Sequence, residues 1–177
     1  MYHAKSRSHA KSRSHIKSRC STNNLAGSRD KGLAALRRCF AHLQDEGALL
    51  LNITAEYAWP EGWEKWEPAK CKTLPEPWPE EGKRRVAADG SEYVERFRLV
   101  SIDPLEQSDV RQVRVEKWGS GKLVGSQEDT LHGTLYLPNE VLLMLQVAGF
   151  RQITVRGDYT NEPATPDSKE LIFTALK

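Results

Sequence analysis

The sequence predicts an α/β fold with an inserted antiparallel β meander. A stretch of helical periodicity is followed directly by a short run that is apolar on both faces, and the same succession returns near the end of the chain. Between them, apolar and charged residues alternate with a period of two, as in half-buried antiparallel strands. The chain of 177 residues is long enough for one domain of ordinary size.

The chain starts with a basic repeat. Residues 3–20 are three copies of one hexapeptide, HAKSRS, HAKSRS and HIKSRC, and residues 1–20 contain six Lys or Arg and no acidic residue. Such a segment has too little apolar surface to form a core, so residues 1–27 are expected to be a disordered tail. The tail is a candidate arm for nucleic acid or an acidic partner, or a solvated segment without a specific role.

The remaining chain is acidic, with 20 Lys and Arg against 24 Asp and Glu and therefore a net charge of −4. Nucleic acid is not an expected partner of this part, because it lacks a basic surface. No apolar run approaches the roughly 18 residues of a membrane span, and no apolar segment follows the basic N-terminus as in a secretory signal. These features predict a cytoplasmic protein. Its cysteines are not spaced as zinc ligands, and no metal is expected: Cys20, Cys39 and Cys71.

Residues 28–177 are expected to form the folded domain. Ser28 or Asp30 is a suitable helix N-cap, and four apolar residues follow at helical spacing: Leu33, Leu36, Phe40 and Leu43. The run from Ala48 to Leu51 is apolar on both faces, which predicts a strand buried between helices.

Residues 54–90 form a predicted loop that is rich in tryptophan and proline. Between Thr54 and Glu81 lie five of the nine prolines and four of the five tryptophans, which excludes a long helix or a central strand. One interpretation is a lid or binding wall whose indole rings cover a flat or apolar ligand. The alternative is a loop that its tryptophans fasten to the body.

Residues 91–137 are predicted to form an antiparallel meander of three strands. The segments EYVERFRLVSI and VRQVRVEKW alternate with a period of two, and Gly119-Ser120-Gly121 turns the chain so that Lys122 to Leu137 can run back. A helix follows, with Asn139 as its N-cap and Gly149 as its left-handed terminating residue, where Phe150 can fold back on Leu145. Two strands complete the pattern: Ile153 to Val155 and Glu170 to Leu176.

This order of elements resembles the C-terminal half of class I S-adenosylmethionine-dependent methyltransferases of the small-molecule type. DKGLAALRRCFAHLQDEGALLLNI is similar to the helix and fifth strand of the family, LPNEVLLMLQVAGFRQITVRGDY to the helix and sixth strand, and DSKELIFTALK to the antiparallel seventh strand. The resemblance implies a partial Rossmann-like methyltransferase sheet, made of the fifth to seventh strands with their helices. It also implies that the meander is an insertion, which some members place over the active site.

The sequence departs from the family in its cofactor-binding parts. The family has a glycine-rich turn after the first strand and an acidic residue at the end of the second, and neither is found here. The only GxG motif, Gly119-Ser120-Gly121, lies between two meander strands. At roughly 30 residues per βα unit, more than 100 residues of the family fold are not present, so cofactor binding by this chain is doubtful. The strand from Ala48 to Ile53 would then be an exposed apolar edge, and the isolated chain is expected to dimerise, aggregate or fold marginally.

The resemblance implies a SAM-dependent methyltransferase whose substrate-side portion is this truncated chain, inactive when alone. The substrate contacts that it implies follow the fifth strand directly: Tyr57, Trp59, Trp63 and Trp66. Glu56 is either a general base or a solvated carboxylate. The alternative function is a non-catalytic interaction module that pairs with a second copy or another methyltransferase chain through the exposed strand. The sequence does not identify the acceptor molecule or the atom that is methylated.

Overall fold

The computed structural model describes residues 15–17 and 27–177, except for the side chains of residues 15–17, 57, 60 and 61. Two four-stranded sheets are present in this part of the chain. The first contains β1 (His15–Lys17), β2 (Ala48–Thr54), β7 (Arg151–Gly157) and β8 (Glu170–Leu176), and the second contains β3 (Lys83–Val86), β4 (Glu92–Asp103), β5 (Ser108–Gly119) and β6 (Lys122–Thr134). The helices are α1 (Arg29–His42), α2 (Pro60–Glu64), α3 (Pro68–Cys71) and α4 (Pro138–Val147).

The first sheet has the order β1-β2-β8-β7, with β8 antiparallel to both of its neighbours. Phe173 at the middle of β8 pairs with Leu51 on one side and Val155 on the other, and its side chain is fully buried. Three alternate residues of β2 are also buried: Leu49, Leu51 and Ile53. The predicted strands of the α/β half are therefore confirmed, and they form the arrangement that the resemblance implies for the fifth, seventh and sixth strands.

Helices α1 and α4 cover this sheet and complete its core. The hydroxyl of Ser28 accepts a hydrogen bond from the backbone N–H of Lys31 at 3.4 Å, so the predicted N-cap of α1 is confirmed. Three residues of α1 and α4 and the C-cap residue of α1 join the core around β2 and β8: Leu36, Val141 and Leu145, with Leu43. Burial of such side chains is worth roughly 1.5–3 kcal/mol each, which is what holds the helices on the sheet.

The ends of α4 match the predictions only in part. Its C-terminus is the predicted Schellman motif, since the N–H of Phe150 donates to the Leu145 carbonyl at 3.0 Å and Gly149 has φ +105°. Its N-terminus differs, because Pro138 is already the first helical residue and Asn139 lies inside the helix. The N-cap is Leu137 instead, and its N–H donates to the Glu140 carboxylate at 3.4 Å.

The tail contributes a strand that the sequence analysis did not predict. His15–Lys17, in the third hexapeptide copy, pairs in parallel with Ala48–Leu50 of β2. The edge of β2 is therefore covered over these three residues, whereas an entirely exposed edge was expected. Residues 1–14 and 18–26, with Cys20, lie outside the described residues, so the prediction of a disordered tail is not tested there.

The second sheet is an antiparallel meander of four strands rather than the predicted three. The extra strand β3 lies at residues 83–86, inside the predicted loop 54–90, and pairs with β4. All four of its side chains are exposed, as expected for a short edge strand made of Lys, Arg and Val. None of the described helices is long and apolar enough to cross a membrane.

Candidate functional site

The tryptophan-rich chain leaves the first sheet at the carboxyl end of β2. A short 3₁₀ helix follows at Glu56–Ala58, and then come α2 and α3. In open α/β sheets, ligands bind outside the carboxyl ends of the strands. The aromatic segment, defined here as residues 55–79, therefore starts at the edge of the sheet where a ligand is expected.

Four charged side chains meet between the aromatic segment and the meander. The Lys65 Nζ atom lies 2.5 Å from Oε2 of Glu56 and 3.9 Å from Oδ2 of Asp109. An Nη2 atom of Arg111 lies 2.5 Å from the same Asp109 oxygen and 3.9 Å from Oε1 of Glu56. Glu56, Lys65, Asp109 and Arg111 are named the charged cluster here. Each cation thus contacts both carboxylates, one closely and one at longer range.

The carboxylate of Asp109 is the most buried member of the charged cluster, with 4% of its side chain exposed. Its Oδ2 receives the bond from Arg111, whereas Oδ1 is fully buried and has no hydrogen-bond partner among the described residues. Asp109 pairs across the sheet with Gly133, where a Cβ atom would collide with Oδ1. Glycine at position 133 is therefore what leaves room for this carboxylate inside the meander.

A buried carboxylate is costly unless cations or hydrogen bonds compensate for its lost hydration. Glu56 is also largely buried, with 12% of its side chain exposed, and Lys65 keeps only 20%. Two negative and two positive charges make the charged cluster neutral as a whole. It is a polar site in which carboxylate oxygens can accept a hydrogen bond from a ligand N–H or O–H group.

The tryptophans of the aromatic segment have different environments. Trp78 is held between two guanidinium groups, with Arg98 at 4.6 Å and Arg114 at 4.1 Å from its ring centre. It fastens the segment to the meander, as the structural interpretation of the loop predicted. Trp63, in contrast, is 49% exposed and is available for contact with a ligand.

The predicted substrate contacts lie in this region. Trp59 has the Lys169 ammonium 5.9 Å from its ring centre, and Trp66 has the Lys65 ammonium 5.7 Å from its ring centre. The indole Nε1 of Trp66 is buried and has no hydrogen-bond partner among the described residues. The side chain of Tyr57 lies outside the described residues, so its predicted role is not tested.

Glu56, the candidate base, is not the solvated carboxylate that its place beside a loop suggested. It is largely buried and paired with Lys65. The sequence analysis did not single out Lys65, Asp109 or Arg111. The sequence does contain a signal for Asp109 and Arg111. By the alternation of β5 they lie on the same strand face as the apolar Val113 and Val115, where charged residues are unusual.

A cleft of about 170 Å³ opens beside the charged cluster. Its walls are formed by the aromatic segment and β4: Glu64, Lys65, Lys70, Thr73, Leu74, Glu76 and Leu99. Lys65 therefore borders both the cleft and the buried carboxylates. No group of three or more His, Cys, Asp or Glu side chains within the described residues could hold a metal ion.

The GxG motif is a hairpin turn, as predicted from its position. Ser120 and Gly121, both with positive φ, connect β5 to β6 at the end of the meander. A phosphate- or cofactor-binding loop connects a buried strand to a helix instead, so this motif does not fit that role. Among the described residues, neither this turn nor the carboxyl end of β2 supplies a glycine-rich cofactor loop.

Comparison with solved structures identifies the fold. A S-adenosylmethionine-dependent methyltransferase from Clostridium acetobutylicum matches with a TM-score of 0.58 at 11% identity. The CcbJ methyltransferase from Streptomyces caelestis gives 0.54 at 14%, and CalS10, an amino pentose methyltransferase from Micromonospora echinaspora solved with SAM bound, gives 0.56 at 14%. The chain has part of the methyltransferase fold.

The methyltransferase fold is only partly represented. These matches cover 91–92% of this chain but 57–59% of the matched chains, so the chain spans less than two thirds of their length. No family model matches the sequence, and neither does any curated protein. The partial fold that the resemblance implied is therefore confirmed by structure at low sequence identity.

Proposed function

We propose that this chain forms the acceptor-binding side of a SAM-dependent methyltransferase that acts on a small molecule. The observation that carries the proposal is the charged cluster, which lies just past the carboxyl end of β2 and is enclosed by the aromatic segment and the meander. The matched structures support it, because CalS10 is an amino pentose methyltransferase and the Clostridium protein is SAM-dependent.

The site suits a methyl acceptor for two chemical reasons. An acceptor nitrogen or oxygen carries a proton, and a carboxylate such as Glu56 or Asp109 can hold that proton by accepting it through a hydrogen bond. The indole rings of Trp59, Trp63 and Trp66 supply flat apolar surface that can orient an acceptor and exclude water. Positioning is the main contribution asked of a protein in a transfer reaction of this kind.

The residues that are present limit what can be proposed about cofactor binding by this chain. SAM is implied by the fold, but the described residues do not fit it, because their GxG motif is a hairpin turn. The function proposed for this chain is therefore acceptor binding, and methyl transfer by the chain alone is not expected.

The proposal can be tested by measuring the binding of possible methyl acceptors and, separately, of a cofactor analogue. Titration of the chain with small aromatic and sugar amines and alcohols should quench tryptophan fluorescence, and W63A should weaken this binding by roughly 10-fold, as expected for an aromatic contact of 1–1.5 kcal/mol. Calorimetric titration with S-adenosylhomocysteine should give no heat of binding.

Three results would contradict this proposal. If no amine or alcohol acceptor binds, or if W63A binds acceptors as tightly as the wild type does, the aromatic segment does not contact the substrate. Micromolar binding of S-adenosylhomocysteine would show that the cofactor site is present in another form. A W78A variant serves as the control for general disturbance, because Trp78 packs between Arg98 and Arg114 away from this role.

A second candidate function is strand pairing with another chain, and the edge of β2 favours it. Strand β1 covers only Ala48–Leu50, and within the described residues Leu51–Thr54 have no strand on that side. Backbone groups at such an edge recruit further strands. Light scattering tests this function: a concentration-dependent dimer that is lost when Asn52 is replaced by Pro supports it, and a monomer at all concentrations contradicts it.

A further inference from the structure

We propose that Glu56, Asp109 and the indole of Trp66 form a binding site for a small organic ammonium ion, and that the ammonium of Lys65 fills this site in the structure. The inference rests on the proposed function in one respect only, which is that the bound amine would be the methyl acceptor once its ammonium nitrogen has given a proton to one of the two carboxylates. The ammonium site itself is argued from the contacts of Lys65.

The surroundings of the Lys65 ammonium are those of a recognition site for a cation. Its Nζ atom has one carboxylate oxygen at 2.5 Å, from Glu56, and a second at 3.9 Å, from Asp109. The ring centre of Trp66 lies 5.7 Å away, within the range of a cation–π contact. Two carboxylates and an aromatic face together provide the features by which proteins recognise ammonium groups.

The charge balance requires a cation at this position. Arg111 compensates for one of the two carboxylates, and Lys65 compensates for the other. Without the Lys65 ammonium the charged cluster would have a net charge of −1 in a largely buried setting. An unpaired buried charge is strongly unfavourable, so it is relieved either by protonation of a carboxylate or by uptake of a cation such as an ammonium ion from solution.

Asp109 is only partly compensated by the two cations. Its carboxylate is 96% buried, and its Oδ1 atom, which faces Gly133, has no hydrogen-bond partner among the described residues. Lys65 reaches only the other oxygen, at 3.9 Å, which is beyond hydrogen-bond distance. A free ammonium ion is not restricted by a side-chain stem and can settle closer to this carboxylate than Lys65 does.

Lys65 is attached in a way that allows its side chain to leave. It is the C-cap residue of α2, a helix of five residues, and it borders the open cleft of about 170 Å³. Its backbone is fixed separately, because the Cys71 thiol donates to the Lys65 carbonyl at 3.6 Å. The four-carbon stem can therefore swing into the cleft while the backbone stays in place.

An internal ammonium competes with a free one. A tethered group acts at an effective concentration in the millimolar range or above, so the wild-type chain should bind amines weakly. Replacement of Lys65 by Ala removes both the competitor and its stem, which leaves space for the chain of n-butylammonium. The K65A variant should therefore be less stable alone and be stabilised by this probe.

The experiment compares thermal unfolding of the wild type, K65A and the double variant E56Q/K65A with added n-butylammonium or n-butanol. K65A should show a midpoint that rises with n-butylammonium, with half of the effect reached at a concentration at least about tenfold lower than for the wild type. The double variant lacks one carboxylate and should lose most of this response. The neutral alcohol has the same length and should have little effect.

Several outcomes would overturn the proposal. These are equal stabilisation by n-butanol, an unchanged response in E56Q/K65A, or no response of K65A to the amine. If K65A does not fold without ligand, recovery of the folded protein on refolding with n-butylammonium supports the site, and failure to recover it rejects the site.

The result also separates this inference from the proposed function. Rescue of K65A by the amine, with no acceptor bound by K65A and no neutral acceptor bound by the wild type, keeps the ammonium site and rejects the methyltransferase role. Binding of neutral acceptors that depends on Trp63, without amine rescue of K65A, keeps the role and rejects the ammonium site.

Discussion

The Nε atom of Arg29 lies 2.5 Å from Oε1 of Glu140, and this pair joins the first turns of α1 and α4. The same guanidinium donates through Nη1 to the Glu106 carbonyl at 2.6 Å and through Nη2 to the Gln107 side chain and, at 3.3 Å, to the Leu135 carbonyl. Glu106 and Gln107 belong to the β4–β5 turn, and Leu135 follows β6. Arg29 therefore connects the meander to the α/β half through one planar group with several donors.

Replacement of Arg29 by Met should lower the free energy of unfolding by about 1–3 kcal/mol, because a hydrogen-bonded charge is lost and Glu140 stays without its partner. Urea unfolding measures this change. R37M is the matched control, since Arg37 is exposed on the same helix, and its effect should be within about 0.5 kcal/mol. Equal effects of the two variants would mean that Arg29 does not hold the halves together.

The Gly133→Ala substitution should destabilise the protein by about 1–3 kcal/mol, because the new Cβ collides with the Asp109 carboxylate, which is buried and held by Arg111. Gly125, on the same strand, has no atom within 4 Å of an added Cβ, so G125A should be nearly neutral. Urea midpoints of both variants give the comparison. A neutral G133A would indicate that Asp109 has another low-energy position.

Trp78 and Trp63 should respond differently to truncation. W78A should lower stability by about 1–2 kcal/mol, because Trp78 stacks against both Arg98 and Arg114. W63A should change it by less than about 0.5 kcal/mol, since Trp63 is half exposed. Thermal and urea unfolding measure these effects. A larger loss of stability in W63A than in W78A would mean that Trp63, rather than Trp78, has the structural role.

Acid stability should depend on Glu116. The Arg96 guanidinium, which lies 2.7 Å from its Oε2, lowers the pKa of this carboxyl, although burial partly opposes the shift. A pKa that is lower in the folded state adds stability above the unfolded-state pKa of about 4.3, and this contribution is lost as the pH falls through the folded-state pKa. At pH 6 the wild type should exceed E116Q by about 1–2 kcal/mol, and the difference should shrink towards pH 2.

Urea midpoints between pH 6 and pH 2 test this dependence. The R96M variant should lose the same pH-dependent part, and the double variant R96M/E116Q should lose little more, because both substitutions remove one interaction. A wild-type advantage that stays constant with pH would assign the effect of E116Q to packing rather than to charge.

The α/β half could be predicted from sequence because its signals are local. The apolar spacing of α1, the doubly apolar run of β2 and the glycine that ends α4 each follow from neighbouring residues. The same holds for the meander, whose alternation is regular. Strand β3 was missed because Lys83–Val86 shows no alternation of apolar and polar residues. All four residues are exposed, so nothing in the composition of this segment distinguishes it from a loop.

The charged cluster could not be predicted because its members are far apart in the chain. Glu56 and Lys65 lie in the aromatic segment, whereas Asp109 and Arg111 are on β5, and only the packing of the segment against the meander brings them together. A charged residue on a strand or loop is usually solvated. The pairing of His15–Lys17 with β2 was missed for a related reason, since a basic repeat has no strand pattern.

The central place of β8 in its sheet has a consequence for synthesis on the ribosome. Strand β2 is made before its antiparallel partner β8, which follows about 120 residues later, as in the pair Leu51 and Phe173. The meander lies between them and consists of strands paired with their nearest neighbours, so it can form while β2 still lacks its partner. The apolar residues of β2 thus lack this partner, and have at most the short strand β1 beside them, while about 120 further residues are made. The newly made chain is therefore expected to need protection from aggregation until β8 emerges.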